Sequence, residues 1–373
     1  NITSTGLRKK REGERLRIGY ISADFCMHPV GFFIEPLLAC HDKAKVEVFC
    51  YANMRESQAD EITHRLCAVS DHWRFIGERN DVELVKIIQQ DEIDVLVDLA
   101  GHTRGNRLKV FTYRPAPVQA MYLGYCASSG LQAMDYWITD DILHPPDTPE
   151  LSTEQIVRLP RCSFCYQPPL NVAIKDSLGR DTDTVVFASY SNLSKLLPDV
   201  IATWSKILTA VGGSRLMIMD KYMADEATRK VLLDQFRDNG ISADRLMIKG
   251  NLPYADYYSS YSDVDIVLDP FPRTGGTTTA DALWMGVPVI TLAGQRYVER
   301  ISAAKLCTLG LEELVADNED QYISIAVKLS DDEDYRMRLR KSLRDRMRES
   351  QLCDGKGLAE AMEAAYRKMV DCL

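Results

Sequence analysis

Between Asp269 and Gly286 the chain reads DPFPRTGGTTTADALWMG, two glycines and three threonines set between a strand-like DIVLD and a helix-like ADALWMG. A strand-to-helix junction leaves backbone N–H groups unpaired at the positive end of a helix dipole. Glycine lets backbone approach a ligand closely, and threonine hydroxyls add donors without adding charge. That chemistry suits a phosphate or pyrophosphate bound at Gly275, Gly276, Thr277 and Thr278. The same residues can also act simply as helix caps.

Three further loops carry chemistry. In ISADFCMHPVGFF, His28 stands at a loop-to-helix junction with Pro29 setting the helix start. An imidazole there can meet a ligand, or it can cap the helix. In VDLAGHTRGNR, Asp98 ends a strand and Gly101-His102-Thr103 make the turn after it. Asp98 can serve a site or tie the loop together by hydrogen bonds. In FASYSNLSKLLPD, Asn192 and Lys195 precede a helix that begins near Pro198. A lysine beside a Gly-Thr helix start makes a pyrophosphate cradle of one fixed cation plus neutral donors.

Other clusters point to bland roles. Asp263-Val-Asp265 has the D-x-D spacing of a metal site but runs straight into a strand, so it reads as a helix end and strand start. His41, His64, His72 and His144 lack partner residues nearby in sequence. Tyr254, Tyr257, Tyr258 and Tyr261 recur at helical spacing, as packing residues do. Cys162 and Cys165 form a lone C-x-x-C without a second pair, which argues against zinc.

Apolar runs of strand length, LRIGYIS (16–22), VEVFCYA (46–52), IDVLVDLA (93–100), VQAMYLG (118–124) and DYWITD (135–140), alternate with helical periodicity in GFFIEPLLACH, ESQADEITHRLCAV and DVELVKIIQQ. Continuous apolar strands with amphipathic helices between them mean a parallel sheet covered on both faces. A polar stretch interrupts the pattern, and a second α/β series follows before a charged helical end. The expected organisation is a linker over 1–15, a Rossmann-like domain over 16–170 and an interdomain linker over 171–183. A second Rossmann-like domain then covers 184–345, and a C-terminal helix 346–373. Two such domains are expected to bind ligand in a cleft between their carboxyl-end loops. A nicotinamide enzyme is disfavoured because G-x-G-x-x-G is absent.

The chain has 373 residues and a net charge of −9, which argues against a general nucleic-acid binder. No apolar run is long enough to span a membrane. Ten cysteines, mostly single and in apolar segments such as LLAC (Cys40) and VEVFC (Cys50), suggest buried free thiols and a cytoplasmic location. The chain starts at Asn1 with a polar, basic stretch, and so reads as a catalytic fragment of a longer protein.

In their order, the blocks LRIGYIS-x-DF-xx-HPV, DLAGHTRGNRL, RPAPVQAMYLGY-xxSSG-xxxMDYWITD, SNLSKLLPDVIATWSKIL and GGTTTADALWMGVPVITLAG resemble the catalytic region of the O-linked N-acetylglucosamine transferase family. The likeness is strongest to its bacterial and Spindly-like branch and runs from about Leu16 to Met369. It implies a two-domain GT-B glycosyltransferase, metal-independent and inverting, that modifies protein Ser or Thr hydroxyls. It also implies upstream tetratricopeptide repeats. On the matching positions, Lys195 and Asn192 meet the donor pyrophosphate, with Thr277 and Thr278 at the phosphate-facing helix start. Asp281 binds the ribose and the Leu252 backbone reads the base. His28 lies near sugar and acceptor, and Thr103, Leu123 and Gly124 contact the sugar.

Two departures stand out. Gly276 and Tyr257 stand where the animal enzymes carry histidines, although Tyr257 can still stack on a base. The resulting expectation is transfer of N-acetylglucosamine from UDP-N-acetylglucosamine, with no further cofactor. Lys195 would stabilise the leaving diphosphate, and His28 would be the general base. Asp98 or a donor phosphate oxygen is the alternative proton acceptor, and His102 a further candidate. Fucose transfer from GDP-fucose is the alternative reaction, and a catalytically silent nucleotide-sugar-binding module the alternative of another class.

Overall fold

The computed structural model describes residues 14–169, 172–173 and 184–373. The interdomain linker expected over 171–183 therefore lies, apart from two residues, outside the described residues, as does most of the expected N-terminal linker. The chain divides into two compact units. One runs to Gln167 and resumes at Gln351–Leu373; the other is Pro168–Ser350.

The first unit is built on seven strands: β1 (Leu16–Ser22), β2 (Val46–Ala52), β3 (His72–Phe75), β4 (Val95–Asp98), β5 (Val118–Met121), β6 (Tyr136–Asp140) and β7 (Gln155–Leu159). They pair in the order β3-β2-β1-β4-β5-β6-β7, parallel throughout. β1 and β2 are almost wholly buried, as strands covered on both faces must be. β3 and β7 were not expected. Both are edge strands bearing polar or charged residues, Arg74 and Arg158 among them, so they lack the apolar run that marks the interior strands.

The expected helix over ESQADEITHRLCAV begins only at Glu61. Asp60 caps it, its carboxylate accepting from Thr63 N at 2.9 Å. Cys50 is buried as expected, but Cys40 is exposed, because it ends the helix Pro29–Cys40.

Residues 346–373 do not form one helix. Glu333–Glu349 closes the second unit, and Gly355–Asp371 packs on the first. Asp354 separates them by capping the last helix, accepting from Gly357 N at 2.9 Å. That last helix places Leu358, Met362, Tyr366 and Met369 in the first unit's core with Ile34, Leu37 and Leu38. A buried polar chain fastens it. His41 Nδ1–H donates to Glu363 at 3.0 Å, which leaves Nε2 to accept from the Tyr20 hydroxyl at 2.8 Å. Tyr366 then donates to Tyr20 at 3.0 Å.

The second unit has six strands: β8 (Val186–Ser189), β9 (Arg215–Met219), β10 (Leu246–Lys249), β11 (Ile266–Leu268), β12 (Val289–Leu292) and β13 (Val315–Ala316). Their order is β10-β9-β8-β11-β12-β13, again parallel. Asp265 ends the D-x-D run as a structural acid. Its carboxylate accepts from Val186 N at 2.7 Å, fixing β8 beside β11.

In each sheet the strand order reverses once, between β1 and β4 and between β8 and β11. The loops leaving the two strands there border a crevice, which is where open α/β sheets bind ligands. His28 follows β1 and Asp98 ends β4; Lys195 and the Gly-Thr turn follow β8 and β11. No helix among the described residues is long and apolar enough to cross a membrane.

Candidate functional site

In the second unit, the loops after β8 and β11 are joined directly. Asn192 caps a short helical turn, its side chain accepting from Ser194 N at 2.9 Å, and Lys195 ends that turn. The half-buried Lys195 Nζ donates to the Thr274 carbonyl at 2.8 Å. Sequence reading brought Lys195 and Gly275–Thr278 into one domain; the structure joins Lys195 to Thr274, the residue just ahead of that turn.

The turn is fixed from beneath by Asp269, at the end of β11. One carboxylate oxygen accepts from Gly275 N at 2.7 Å and the other from the Thr291 hydroxyl at 2.7 Å. Burial raises the Asp269 pKa, and Lys195, Ser302, Thr291 and Gly275 oppose that rise. Ser302 donates to the Gly275 carbonyl at 3.0 Å, so Thr279 donates to Ser302 at 2.8 Å. A Cβ on Gly275 would lie 2.3 Å from Thr279 Oγ1, so this position requires glycine. Asp269, Thr274 and Ser302 were not anticipated. The signal for Asp269 was available, a carboxylate ending a strand just ahead of the glycines.

The helix Thr277–Trp284 starts after Gly276, which offers no side-chain cap. Thr277 and Thr278 stand partly exposed at its first turn. A Cβ on Gly276 would meet nothing within 4 Å. Asp281, one turn further, is buried and accepts from the Tyr257 and Tyr258 hydroxyls at 3.0 and 3.2 Å. Tyr257 has the rings of Tyr190, Tyr258 and Tyr261 edge-on at 4.9 to 5.6 Å. Its hydroxyl is engaged by Asp281, while the residue itself remains partly exposed. Leu252 lies in the loop ahead of the helix Tyr254–Ser259, partly exposed.

In the first unit, His28 caps the helix Pro29–Cys40, its Nδ1 accepting from Val30 N at 3.3 Å. Desolvation lowers its pKa, with Asp24, 3.8 Å away, acting in the opposite direction. The neutral ring thus carries its proton on Nε2 and presents a donor there. Burial likewise raises the pKa of Asp24.

Asp98 is fully buried at the end of β4. Oδ2 accepts from Gly101 N at 2.5 Å, while Oδ1 has no hydrogen-bond partner among the described residues. Burial pushes its pKa up to about 7, against the lowering effect of the Gly101 and Ala100 N–H groups. The turn above it is tightly held. Thr103 Oγ1 donates to the Ala100 carbonyl at 2.8 Å, and His102 Nε2 donates to the Ser129 carbonyl at 2.8 Å. Glu154, also unanticipated, accepts from Ser129 N at 2.8 Å and from the Ser128 hydroxyl at 2.7 Å. Leu123 adopts φ +68°, a strained region for a side-chain-bearing residue. Gly124 passes so close to Leu99 that a Cβ would lie 1.6 Å from its carbonyl oxygen.

The profile of glycosyl transferase family 41 matches residues 4–168 and 165–362. The chain is 37% identical over 358 residues to the Arabidopsis thaliana protein named "Probable UDP-N-acetylglucosamine--peptide N-acetylglucosaminyltransferase SPINDLY", covering 95% of this chain and 39% of that protein. It is 29% identical to the SEC protein of the same plant, over 98% of this chain and 38% of that one. Among solved structures, a mutant of the Thermobaculum terrenum O-GlcNAc transferase superposes with a TM-score of 0.92 at 37% identity. It covers 99% of this chain and 70% of that one. The chain thus spans well under half the length of the plant relatives. Its two Rossmann-like α/β units are those of the GT-B class, as the sequence led one to expect.

Proposed function

The chain belongs to glycosyl transferase family 41, and from that membership we propose that it transfers N-acetylglucosamine from UDP-N-acetylglucosamine to Ser or Thr hydroxyls of proteins. The observation that carries this reading is the joining of Lys195 to the Gly-Thr turn. A cation, the N-terminus of the helix Thr277–Trp284 and the Thr277 and Thr278 hydroxyls converge on one switch-point crevice. In this reading the pyrophosphate lies against them, with Asn192 beside Lys195. Asp281 takes the ribose, and the Leu252 backbone reads the base. Thr103, Leu123 and Gly124 contact the sugar.

The acceptor oxygen bonds to the anomeric carbon as the bond to the diphosphate oxygen breaks, with inversion. Charge then grows on the leaving diphosphate, where Lys195 and the helix-start donors are already in place. Such preorganised stabilisation is usually the largest single contribution. Lys195 supplies that charge in place of a divalent cation, so chelators should leave transfer intact. His28 orients the acceptor or sugar through Nε2–H, since its Nδ1 is engaged by Val30. The acceptor's proton passes through water to Asp98, whose carboxyl is poised near neutrality. His102 holds the Ser129 loop that borders this turn.

A protein acceptor, upstream tetratricopeptide repeats and a cytoplasmic setting complete the proposal. The test is thermal stabilisation by UDP, GDP, UDP-N-acetylglucosamine and GDP-fucose, without metal. The uridine pair alone should raise the melting temperature. A response to the guanosine pair alone would replace this donor with GDP-fucose, and no response to any would remove the donor site from the second unit.

A further inference from the structure

The second unit holds a directed chain of hydroxyl groups that ends on a single carboxylate. An ionised Asp281 can only accept, so Tyr257 donates to its Oδ2 at 3.0 Å and Tyr258 to its Oδ1 at 3.2 Å. With its proton directed to Asp281, the Tyr257 oxygen accepts from Tyr261, 3.0 Å away. Tyr190 supports the arrangement from the other side, its ring stacked on Tyr261 at 4.1 Å and 20°. Ser260 directs its own proton to the Tyr257 carbonyl at 2.6 Å, so Tyr190 donates to Ser260 at 3.0 Å. The proton directions follow from one another once Asp281 is ionised.

Packing alone does not explain this pattern. Tyrosines that merely fill space do not need to place two phenols on opposite oxygens of one buried acid. Asp281 also sits one turn into the helix whose start is the Gly-Thr turn, so its orientation is tied to that of the phosphate-facing donors. A carboxylate offers about four acceptor sites. A vicinal diol is the ligand chemistry that bridges both oxygens of such a group.

We propose that Tyr257 and Tyr258 are positioning residues for the nucleoside half of the donor: they hold the Asp281 carboxylate in the orientation that receives the two ribose hydroxyls. The proposal rests on the reading of Asp281 as the ribose-binding acid. Without either phenol the carboxylate gains freedom to rotate and loses a donor that favours its charged form.

The test compares the affinity of the purified chain for UDP and for 2′,3′-dideoxyuridine diphosphate by titration calorimetry, with GDP and its dideoxy counterpart run alongside. Wild-type protein should prefer the ribonucleotide. Absence of that preference would show that the ribose assignment of Asp281 itself is wrong. Given the preference, Tyr257→Phe keeps the ring packing and should weaken ribonucleotide binding on the order of tenfold, with little change for the dideoxy compound. Tyr258→Phe, acting on the other oxygen, should do the same. Equal weakening of both nucleotides would reduce the phenols to a structural role. An undiminished ribose preference in both variants would overturn the proposal.

Discussion

Lys195 Nζ and the Thr274 carbonyl oxygen lie 2.8 Å apart although 79 residues separate them in the chain. The contact exists because β8 and β11 are neighbours across the reversal of strand order, so the loops that leave them meet. It also ties the ammonium to Thr274, three residues ahead of the helix Thr277–Trp284, where the proposed diphosphate lies. Lys195→Ala should therefore reduce kcat/KM for transfer on the order of 10²–10³-fold, the loss typical of removing one preorganised donor. Its melting temperature should change little, because one half-exposed lysine contact contributes little to stability. Transfer kinetics and a thermal melt on the same preparation check both halves.

The adjacent glycines should respond differently to the same substitution. Gly275→Ala would press a methyl group against Thr279 Oγ1 at 2.3 Å and Asp269 Oδ1 at 2.7 Å, in a turn fastened on both sides. The expected cost is about 1–3 kcal/mol together with weakened nucleotide binding. Gly276→Ala meets nothing within 4 Å and should melt close to wild type. Paired thermal melts decide it, and equal destabilisation of the two would contradict the turn geometry.

His28 has two separable roles. As an N-cap it accepts from Val30 N; as a site residue it presents Nε2–H. His28→Ala should lose about 1 kcal/mol of stability along with transfer. His28→Asn supplies a good capping oxygen and should recover the stability without recovering transfer. Chemical denaturation of both variants, beside their activities, separates cap from chemistry.

Asp98 makes a pH prediction. Burial raises its carboxyl from 3.8 to about 7 in the folded state. Between those values the folded protein binds a proton that the unfolded chain has released, so this group's contribution falls as pH rises. The penalty grows from about pH 4 and levels off above about 7, reaching on the order of 4 kcal/mol. Asp98→Asn should gain stability relative to wild type over that window. A difference in melting temperature that stays constant from pH 4.5 to 8 would contradict the burial argument. The wild-type transfer rate should rise as pH passes 7, and the variant should lose that dependence.

Much of this architecture was legible because interior parallel strands are continuous apolar runs; β1 and β2 occupy the bounds their sequences suggested. The edge strands β3 and β7 were not legible, since a strand with one open side does not need an apolar run. Lys195, His28 and the Gly-Thr turn announced themselves by residue type at strand-to-helix junctions. Asp269 and Ser302 did not, because their role comes from contacts set by tertiary packing. The phenols on Asp281 were hidden for the same reason: helical spacing in Tyr254–Tyr261 marks packing equally well, and the acid they hold is 24 residues beyond Tyr257.

The central claim is tested most directly by incubating the chain with UDP-N-acetylglucosamine and a peptide library rich in Ser and Thr, then reading products by mass spectrometry. The account predicts single N-acetylhexosamine additions on Ser or Thr, retained in the presence of a chelator and lost in Lys195→Ala. Absence of such products from the uridine donor, with deoxyhexose additions from GDP-fucose instead, would contradict it.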